Sequence, residues 1–312
     1  MPASPTATAE EIKDVNVRYH DVAAESYDAK WGIDFGPIGQ DQVLAKLSKA
    51  LGRTPTEPFG DALEIGAGTG YFSLNLAQLG LIERPTASDI SSGMLNALSK
   101  TAEGLGVEIE TVVTDAESLP FEDESFDLVF GHAVLHHIPH LDKAFAEFAR
   151  VLRPGGVVAF MGEPSRYGDR LATVPKRAGA LLGPLWRRAL GAGPAPHVAG
   201  NGRHEDHHHP DGHELESEVD VHAFAPAQLR GWLDETGFED ARVSGEELVA
   251  NAYGWLLRSL ESTAAPDEIP FGWRNFAFRS YITLQRLDTK LLEPHLPAEL
   301  FYNLVLSARK PG

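Results

Sequence analysis

The stretch Ala62-Leu-Glu-Ile-Gly-Ala-Gly-Thr-Gly-Tyr-Phe-Ser-Leu-Asn-Leu-Ala77 decides the fold of this 312-residue chain. A short apolar run ends in an acid and three alternating glycines, and a helical pattern follows, which predicts a strand, a tight turn and a helix. Gly66, Gly68 and Gly70 allow backbone conformations that residues with a Cβ avoid, and they let a ligand approach the main chain. Open α/β sheets bind nucleotide-like ligands at such turns.

The residues around the turn distinguish between nucleotide-like ligands. A dinucleotide fingerprint needs glycine where this chain has Tyr71, and no Lys-Ser or Lys-Thr pair follows the glycines as in a P-loop. No Lys or Arg lies between Arg53 and Arg84, and Glu64 stands inside the turn. A carboxylate disfavours pyrophosphate and suits a cationic ligand such as S-adenosylmethionine, which carries an ammonium and a sulfonium. From this stretch alone, a strand–helix turn that binds nothing is the alternative.

Composition limits the classes of function. The formal net charge is −18 and the isoelectric point is about 5.1, which argues against nucleic acid as the main partner. The chain has no cysteine, so disulfides, thiolate zinc sites and a cysteine nucleophile are excluded. The N-terminus lacks a secretory pattern, and no apolar run approaches the roughly 18 residues of a membrane span. We therefore expect a cytoplasmic protein without a transmembrane segment.

Strands alternate with helices along most of the chain. Strands are expected near 62–65, 85–90, 107–113, 126–130, 157–161, 238–243 and 300–308. This rhythm predicts an α/β fold with a doubly wound, mostly parallel sheet. The alternation of strands and helices stops over 164–222 and 250–297, which are interpreted as insertions. The predicted domain therefore comprises 11–163, 223–249 and 298–312, and residues 1–10 are predicted to be a disordered tail.

Polar side chains follow the ends of four successive predicted strands. Asp89 lies nineteen residues after Gly70, a spacing that puts a carboxylate within reach of ribose hydroxyls. Asp115 follows the third strand, where a carboxylate can accept from an adenine amino group, and His132 follows the fourth. Carboxyl ends of parallel strands share one sheet edge, so we expect Glu64, Asp89, Asp115 and His132 together. For Asp89 alone, a helix-capping surface residue is the alternative.

Five motifs together resemble the class I S-adenosylmethionine-dependent methyltransferases: 63–70, 88–91, 115–121, 126–129 and 152–156. Within that group the chain is similar to the small-molecule branch that includes the ubiquinone and menaquinone C-methyltransferases, over about 19–161, 223–248 and 299–310. The resemblance implies a Rossmann-like methyltransferase fold, with seven strands, the last antiparallel, and the insertions as a cap or lid. It also implies an enzyme that methylates a small-molecule or lipid-like acceptor.

The resemblance assigns residues to the cofactor site. Glu64 and the backbone of Gly66, Ala67, Gly68 and Gly70 would hold the methionine end. Asp89 would hold the ribose, Ile90 and Met94 would pack on the adenine, and Asp115 and Ala116 would bind its edge. His132 would line the methionine side, and Tyr27 and Tyr19 would cover the cofactor.

Two histidines are candidates for the reaction itself. Methyl transfer from a sulfonium is an in-line displacement, so alignment supplies much of the rate. A base adds to it when the acceptor must lose a proton. His136 and His137 follow the fourth strand and are the candidate bases. The alternative is that one caps a helix and the other is exposed.

The insertions carry two further patterns. The segment 204–214 is rich in His and acids and has metal-ligand chemistry, but a solvated loop without metal is favoured because no helix or strand would set ligand geometry. The basic, Leu- and Trp-containing stretch 171–190 is interpreted as a cap, with a membrane surface and a homodimer contact as alternatives. Pro175, Gly179, Gly183 and Pro184 are expected to interrupt any long helix there.

Two other functions remain open from the sequence. A protein or RNA methyltransferase is disfavoured by the net charge and by Gly131-His-Ala-Val-Leu135, which stands where an Asn-Pro-Pro-Tyr-like tetrad would bind an amide. A non-catalytic S-adenosylmethionine-binding module that assembles through the insertions is the third hypothesis.

Overall fold

The computed structural model of the chain describes residues 8–24, 27–28, 32–195 and 222–312. The predicted disordered tail over 1–10 falls mostly outside them, but it is wrong for its last two residues, because helix α1 (Ala9–Ala23) begins at Ala9. Thr8 and Glu11 form a capping box, in which each side chain accepts from the backbone N–H of the other. This pair determines where the helix begins.

Strands and helices alternate as the sequence predicts. The elements up to the middle of the chain are α1, α2 (Pro37–Leu51), β1 (Phe59–Ile65), α3 (Tyr71–Gln78), β2 (Ile82–Asp89), α4 (Ser92–Leu105), β3 (Glu110–Val113), β4 (Phe126–His132), α5 (Leu141–Val151) and β5 (Leu152–Pro164). They are followed by α6 (Arg166–Leu190), α7 (Pro226–Glu235), β6 (Glu239–Glu246), α8 (Val249–Glu261), α9 (Phe271–Leu287) and β7 (Asn303–Arg309).

The strands form one seven-stranded sheet in the order β3-β2-β1-β4-β5-β7-β6. The pairs β1–β2, β1–β4, β2–β3 and β4–β5 are parallel. Strand β7 is antiparallel to β5, because backbone hydrogen bonds join Gly155 to Lys310 at one end and Ser165 to Tyr302 at the other. The predicted doubly wound, mostly parallel sheet is confirmed. Its strand order reverses between β1 and β4, where open α/β sheets bind ligands.

Apolar side chains cover both faces of this sheet. On one face, α2 packs Val43 and Leu47 into a buried cluster with Leu128 and Phe130 of β4. On the other face, Leu98 of α4 belongs to a second buried cluster. Burial of apolar surface on both sides is the main force that holds the strands in register. The carboxyl ends of β1, β2 and β4 are thereby held at one edge.

The described residues divide into two compact units. The first unit comprises 8–164, 222–244 and 305–312, and it contains the cavity described below. The second comprises 165–195 and 245–304 and is mainly helical. The sequence-based role of the insertions as a cap or lid stays a prediction.

The long helix of the second unit corrects one expectation from the sequence. Pro175 and Pro184 lie inside a continuous helix of 25 residues, α6, which they were expected to interrupt. Each proline removes a backbone donor, but small residues let α6 approach α8 closely and packing offsets that loss. A Cβ at Gly179 would lie 2.7 Å from the carbonyl oxygen of Leu256, and one at Gly183 would lie 2.5 Å from Cγ2 of Thr263. The glycines serve helix packing.

Candidate functional site

The glycine turn after β1 leaves its main chain open on one side. Gly66, Gly68 and Gly70 all have positive φ angles, of 63°, 54° and 90°. A Cβ at Gly68 would meet no atom within 4 Å, whereas one at Gly66 would lie 2.3 Å from Cγ2 of Val134. Glycine at position 66 therefore allows the segment after β4 to pack on the turn. Glycine at position 68 leaves the backbone accessible to a ligand.

Asp89, the last residue of β2, is the carboxylate that shapes this turn. Its Oδ2 accepts the N–H of Gly68 at 2.8 Å, and its Oδ1 accepts the N–H of Ser91 at 2.8 Å. Burial raises the pKa of Asp89, while these backbone N–H groups and the nearby His20 oppose the rise. The carboxylate thus joins the glycine turn to the start of α4. It still lines the cavity with its remaining surface.

The turn borders an open-mouthed cavity whose empty space, open solvent included, is about 810 Å³. Several predicted site residues line it: Tyr27, Gly66, Gly68, Asp89, Ile90, Asp115, Ala116, His132 and His137. The ring of His132 stacks on Phe72 at 4.7 Å between centroids. The structure therefore brings the glycine turn and the side chains after β2, β3 and β4 to one place.

Six other predicted site residues do not line the cavity: Tyr19, Glu64, Ala67, Gly70, Met94 and His136. Tyr19 and Met94 are buried. Ala67 donates its backbone N–H to Ser88, and Gly70 donates its own to Ala67. Their predicted roles toward a ligand stay predictions.

Glu64 lies behind the glycine turn. Its Oε2 accepts the backbone N–H of Ser73 at 3.0 Å and also the Ser73 hydroxyl. Burial raises the pKa of Glu64 to about 8, against the opposing effect of these two hydrogen bonds. The carboxylate therefore holds the first turn of α3 against β1. Its predicted contact with the methionine end of a ligand stays a prediction.

Helix α1 contributes side chains to the cavity wall, and the sequence argument missed them. Lys13, Asn16 and His20 all line the cavity. The Lys13 ammonium lies 2.5 Å from Oδ2 of Asp115 and 2.7 Å from Oε2 of Glu117. Partial burial lowers the pKa of Lys13, but the hydrogen bonds and negative charges of these two carboxylates raise it by more, so its pKa is raised overall. From the sequence alone no cation is expected near the turn, because no Lys or Arg lies between Arg53 and Arg84. In the folded chain Lys13 lines the cavity, so that expectation is wrong.

A second contact ties the other end of α1 to the site. Asp21 accepts the hydroxyl of Ser91 at 2.5 Å and the N–H of Gly93 at 2.9 Å. Together with Lys13, it holds the helix beside the ends of β2 and β3. The spacing of Lys13, Asn16 and His20, three and then four residues apart, places them on one helical face. That periodicity is the signal by which the sequence could have revealed them.

A buried carboxylate at the end of β5, Glu163, organises the segment after β4. Its Oε1 accepts the N–H groups of Val134 and Leu135, each at 3.0 Å, and its Oε2 accepts the N–H of His136 at 3.2 Å. The Nδ1 of His136 lies 2.9 Å from the same Oε2. Ala133 just before has a φ of 52°, a strained conformation for a residue with a Cβ. The sequence argument missed Glu163.

The two candidate histidines have different surroundings. His136 is buried and bonded to Glu163, whereas His137 lines the cavity. The His137 ring lies 3.9 Å from the His136 ring and 5.8 Å from the His20 ring, between centroids. The three residues 135–137 form a short 3₁₀ turn rather than the start of a longer helix. His137 is therefore the candidate that can touch a molecule in the cavity.

Among the described residues, no group of three or more His, Asp or Glu side chains is arranged to hold a metal ion. The His-rich segment 204–214 lies outside the described residues.

Comparison with known proteins shows what the residues around much of this cavity are similar to. Residues 63–160 match the family described as "Methyltransferase domain". The malonyl-[acyl-carrier protein] O-methyltransferase of Methylococcus capsulatus is 39% identical over 150 residues, covering 44% of this chain and 53% of that protein. The ubiquinone/menaquinone biosynthesis C-methyltransferase UbiE of Brucella anthropi is 34% identical over 145 residues, covering 46% and 54%. The chain spans about half the length of both relatives.

A solved structure resembles the whole chain in fold. The phosphoethanolamine N-methyltransferase 2 of Haemonchus contortus, in complex with phosphomonomethylethanolamine and S-adenosylhomocysteine, aligns with a TM-score of 0.59. The alignment covers 98% of this chain and 61% of that one at 19% identity. At this identity the likeness establishes the fold.

Replacing Glu64 by Gln tests the burial of its carboxyl group. The unfolded chain releases this proton near the ordinary value of 4.5, whereas the folded chain retains it to about pH 8. Rising pH therefore destabilises the native fold through this group. Relative to wild type, Glu64→Gln should gain on the order of 3 kcal/mol in unfolding free energy between pH 5 and pH 8. Urea unfolding at several pH values measures this difference.

The matched control for this experiment is Glu122→Gln, because Glu122 is exposed. Its difference from wild type should stay constant with pH. A Glu64→Gln difference that is equally flat would show that the carboxyl group is not buried as described.

Proposed function

We propose, from the match of residues 63–160 to a methyltransferase domain, that the chain transfers a methyl group from S-adenosylmethionine to a small-molecule or lipid-like acceptor. One observation carries the proposal: Asp89 and the open main chain at Gly68 border the same cavity. The diol of a ligand would donate to Asp89, and its amino-acid-like end would contact the main chain at Gly68. The methyl group on the sulfonium is the reactive group that S-adenosylmethionine supplies.

The residues present fit this cofactor. The Asp89 carboxylate accepts two backbone N–H groups, and a carboxylate offers about four acceptor positions, so capacity remains for two ribose hydroxyls. Asp115 likewise keeps acceptor capacity beyond Lys13 for an adenine amino group. Ile90 supplies an apolar contact beside the adenine position. The carboxylates also suit the positive charge of the ligand.

We assign His137 as the base for acceptors that lose a proton on methylation. Support comes from its place in the cavity wall beside Ile138 and Pro139. His136 then acts as a positioning residue, since it joins the turn that carries His137 to the buried Glu163. Its predicted catalytic role is thus reassigned to orientation. Alignment of donor and acceptor supplies the larger share of the rate.

The small-molecule acceptor class rests on two kinds of support. One relative is named as an O-methyltransferase of malonyl-[acyl-carrier protein], and the other as a C-methyltransferase of ubiquinone and menaquinone biosynthesis. The net charge of −18 disfavours nucleic acid.

Incubation with methyl-labelled S-adenosylmethionine and fractionated cell extract tests the acceptor class. We expect label in the metabolite or lipid fraction, because the net charge disfavours nucleic acid and one relative is named for quinone biosynthesis. Thin-layer chromatography and gel autoradiography separate the fractions. Label that appears only in protein or RNA would contradict this acceptor class.

Replacing Asp89 by Asn tests the cofactor seat. Loss of the charged acceptor should weaken S-adenosylmethionine binding on the order of 10- to 100-fold, as measured by titration calorimetry. Asp142→Asn is the matched control, because Asp142 is an exposed residue in the first turn of α5. It should bind as wild type does. Equal affinity of Asp89→Asn and wild type would remove Asp89 from the ribose role.

Replacing His137 by Asn tests the proposed base. With an acceptor that loses a proton, kcat should fall about 10²- to 10⁴-fold while the cofactor Kd is unchanged. The variant should also lose the limb of the wild-type pH–rate profile that reports the base. His140→Asn, at an exposed position three residues on, is the control and should keep both. An unchanged kcat in His137→Asn would exclude the role.

A further inference from the structure

One face of α6 is apolar and exposed. Tyr167, Leu171, Val174, Leu181, Leu182 and Leu185 have exposed fractions between 38% and 81%. At 3.6 residues per turn, these six side chains occupy about a third of the helix circumference. We call them the apolar stripe. Contiguous exposed apolar surface on this scale marks a site of interaction with a partner or a membrane.

The opposite face of the same helix is already occupied within its unit. Ala172, Gly179 and Gly183 are buried; Gly179 lies close to α8, and Gly183 lies close to Thr263, two residues after the end of α8. The apolar stripe is therefore separate from the packing that holds α6 in the second unit. A partner or a membrane would therefore contact the apolar stripe without displacing the packing of α6 in its unit.

A row of positive charge runs along one edge of the stripe. Arg166, Arg170, Arg177 and Arg188 are exposed and, by helical spacing, lie on that edge. Lys176 and Arg187 add to the charge, and Asp169 is the single acid of the helix. This excess stands out in a chain whose net charge is −18.

We propose that α6 binds the surface of an anionic lipid bilayer, with its axis in the plane of the membrane and the apolar stripe at the level of the acyl chains. An exposed apolar face with flanking arginines on a helix of low overall hydrophobicity is typical of interfacial binding. The arginines would contact lipid phosphates. Among the described residues, no helix is long and apolar enough to cross a membrane.

Charge complementarity favours this occupant over a second copy of the chain. In a two-fold dimer with antiparallel helices the same patch faces itself, so the arginine row of one copy would approach that of the other. An anionic bilayer instead supplies opposite charge along the whole row. The acidic residues of 204–220 could also neutralise it, and the experiment includes that outcome.

Vesicle flotation with the full chain tests the proposal. Vesicles of phosphatidylcholine with one third phosphatidylglycerol should carry the protein upward, whereas pure phosphatidylcholine vesicles should not. Leu181→Gln with Leu185→Gln, and separately Arg177→Glu with Arg188→Glu, should each weaken binding at least about tenfold. Raising NaCl from 0.1 to 0.5 M should weaken wild-type binding similarly.

Matched controls change the same residue types elsewhere on the surface. Ile38→Gln alters an apolar side chain that is 53% exposed, and Lys100→Glu reverses an exposed charge on α4. Both should float as wild type does, and thermal unfolding should be unchanged in every variant. Binding that is insensitive to the α6 substitutions would overturn the proposal.

Two further results would assign the stripe to another occupant and so overturn the proposal. The first is a wild-type dimer in sedimentation analysis that Leu181→Gln with Leu185→Gln dissociates, without vesicle binding. The second is flotation only after the acids of 204–220 are replaced by their amides, which would indicate that this segment covers α6.

Discussion

The cavity depends on one carboxylate and the two backbone groups it holds. Asp89 accepts N–H groups from Gly68 and from Ser91, and so joins the turn after β1 to the first turn of α4. A buried carboxylate without such donors would be costly, because charge is disfavoured away from water. The hydrogen bonds offset that cost, and they require that glycine at position 68 keep its left-handed conformation. Asp89 therefore both determines the shape of this sheet edge and supplies the acceptor atoms that a ligand would contact there.

Two other buried carboxylates act in the same way at neighbouring strands. Glu64 holds the first turn of α3, and Glu163 holds the three backbone N–H groups after β4. These hydrogen bonds give the buried oxygens of each acid backbone N–H partners and fix the turn that donates them. Rigid strand ends then present short turns with defined geometry. Preorganisation of this kind suits a reaction whose rate depends on alignment.

Much of the fold and part of the site could be predicted from the sequence. The sheet followed from apolar runs that alternate with helical patterns, and Asp89 and Asp115 followed from their positions at strand ends. Lys13 and Glu163 did not follow, because their roles depend on contacts 102 and 27 to 29 residues away. Pro175 and Pro184 misled because packing that only the folded unit contains outweighed their local tendency to break a helix. Whether Glu64 touches the ligand likewise depends on a rotamer that the sequence does not specify.

The structure of the chain bound to S-adenosylhomocysteine tests the central claim most directly. The account predicts both ribose hydroxyls within about 3 Å of the Asp89 carboxylate and the adenine amino group within the same distance of Asp115. It also predicts the amino-acid end against the main chain at Gly68. A ligand bound outside this cavity, or one whose ribose does not contact Asp89, would contradict the account.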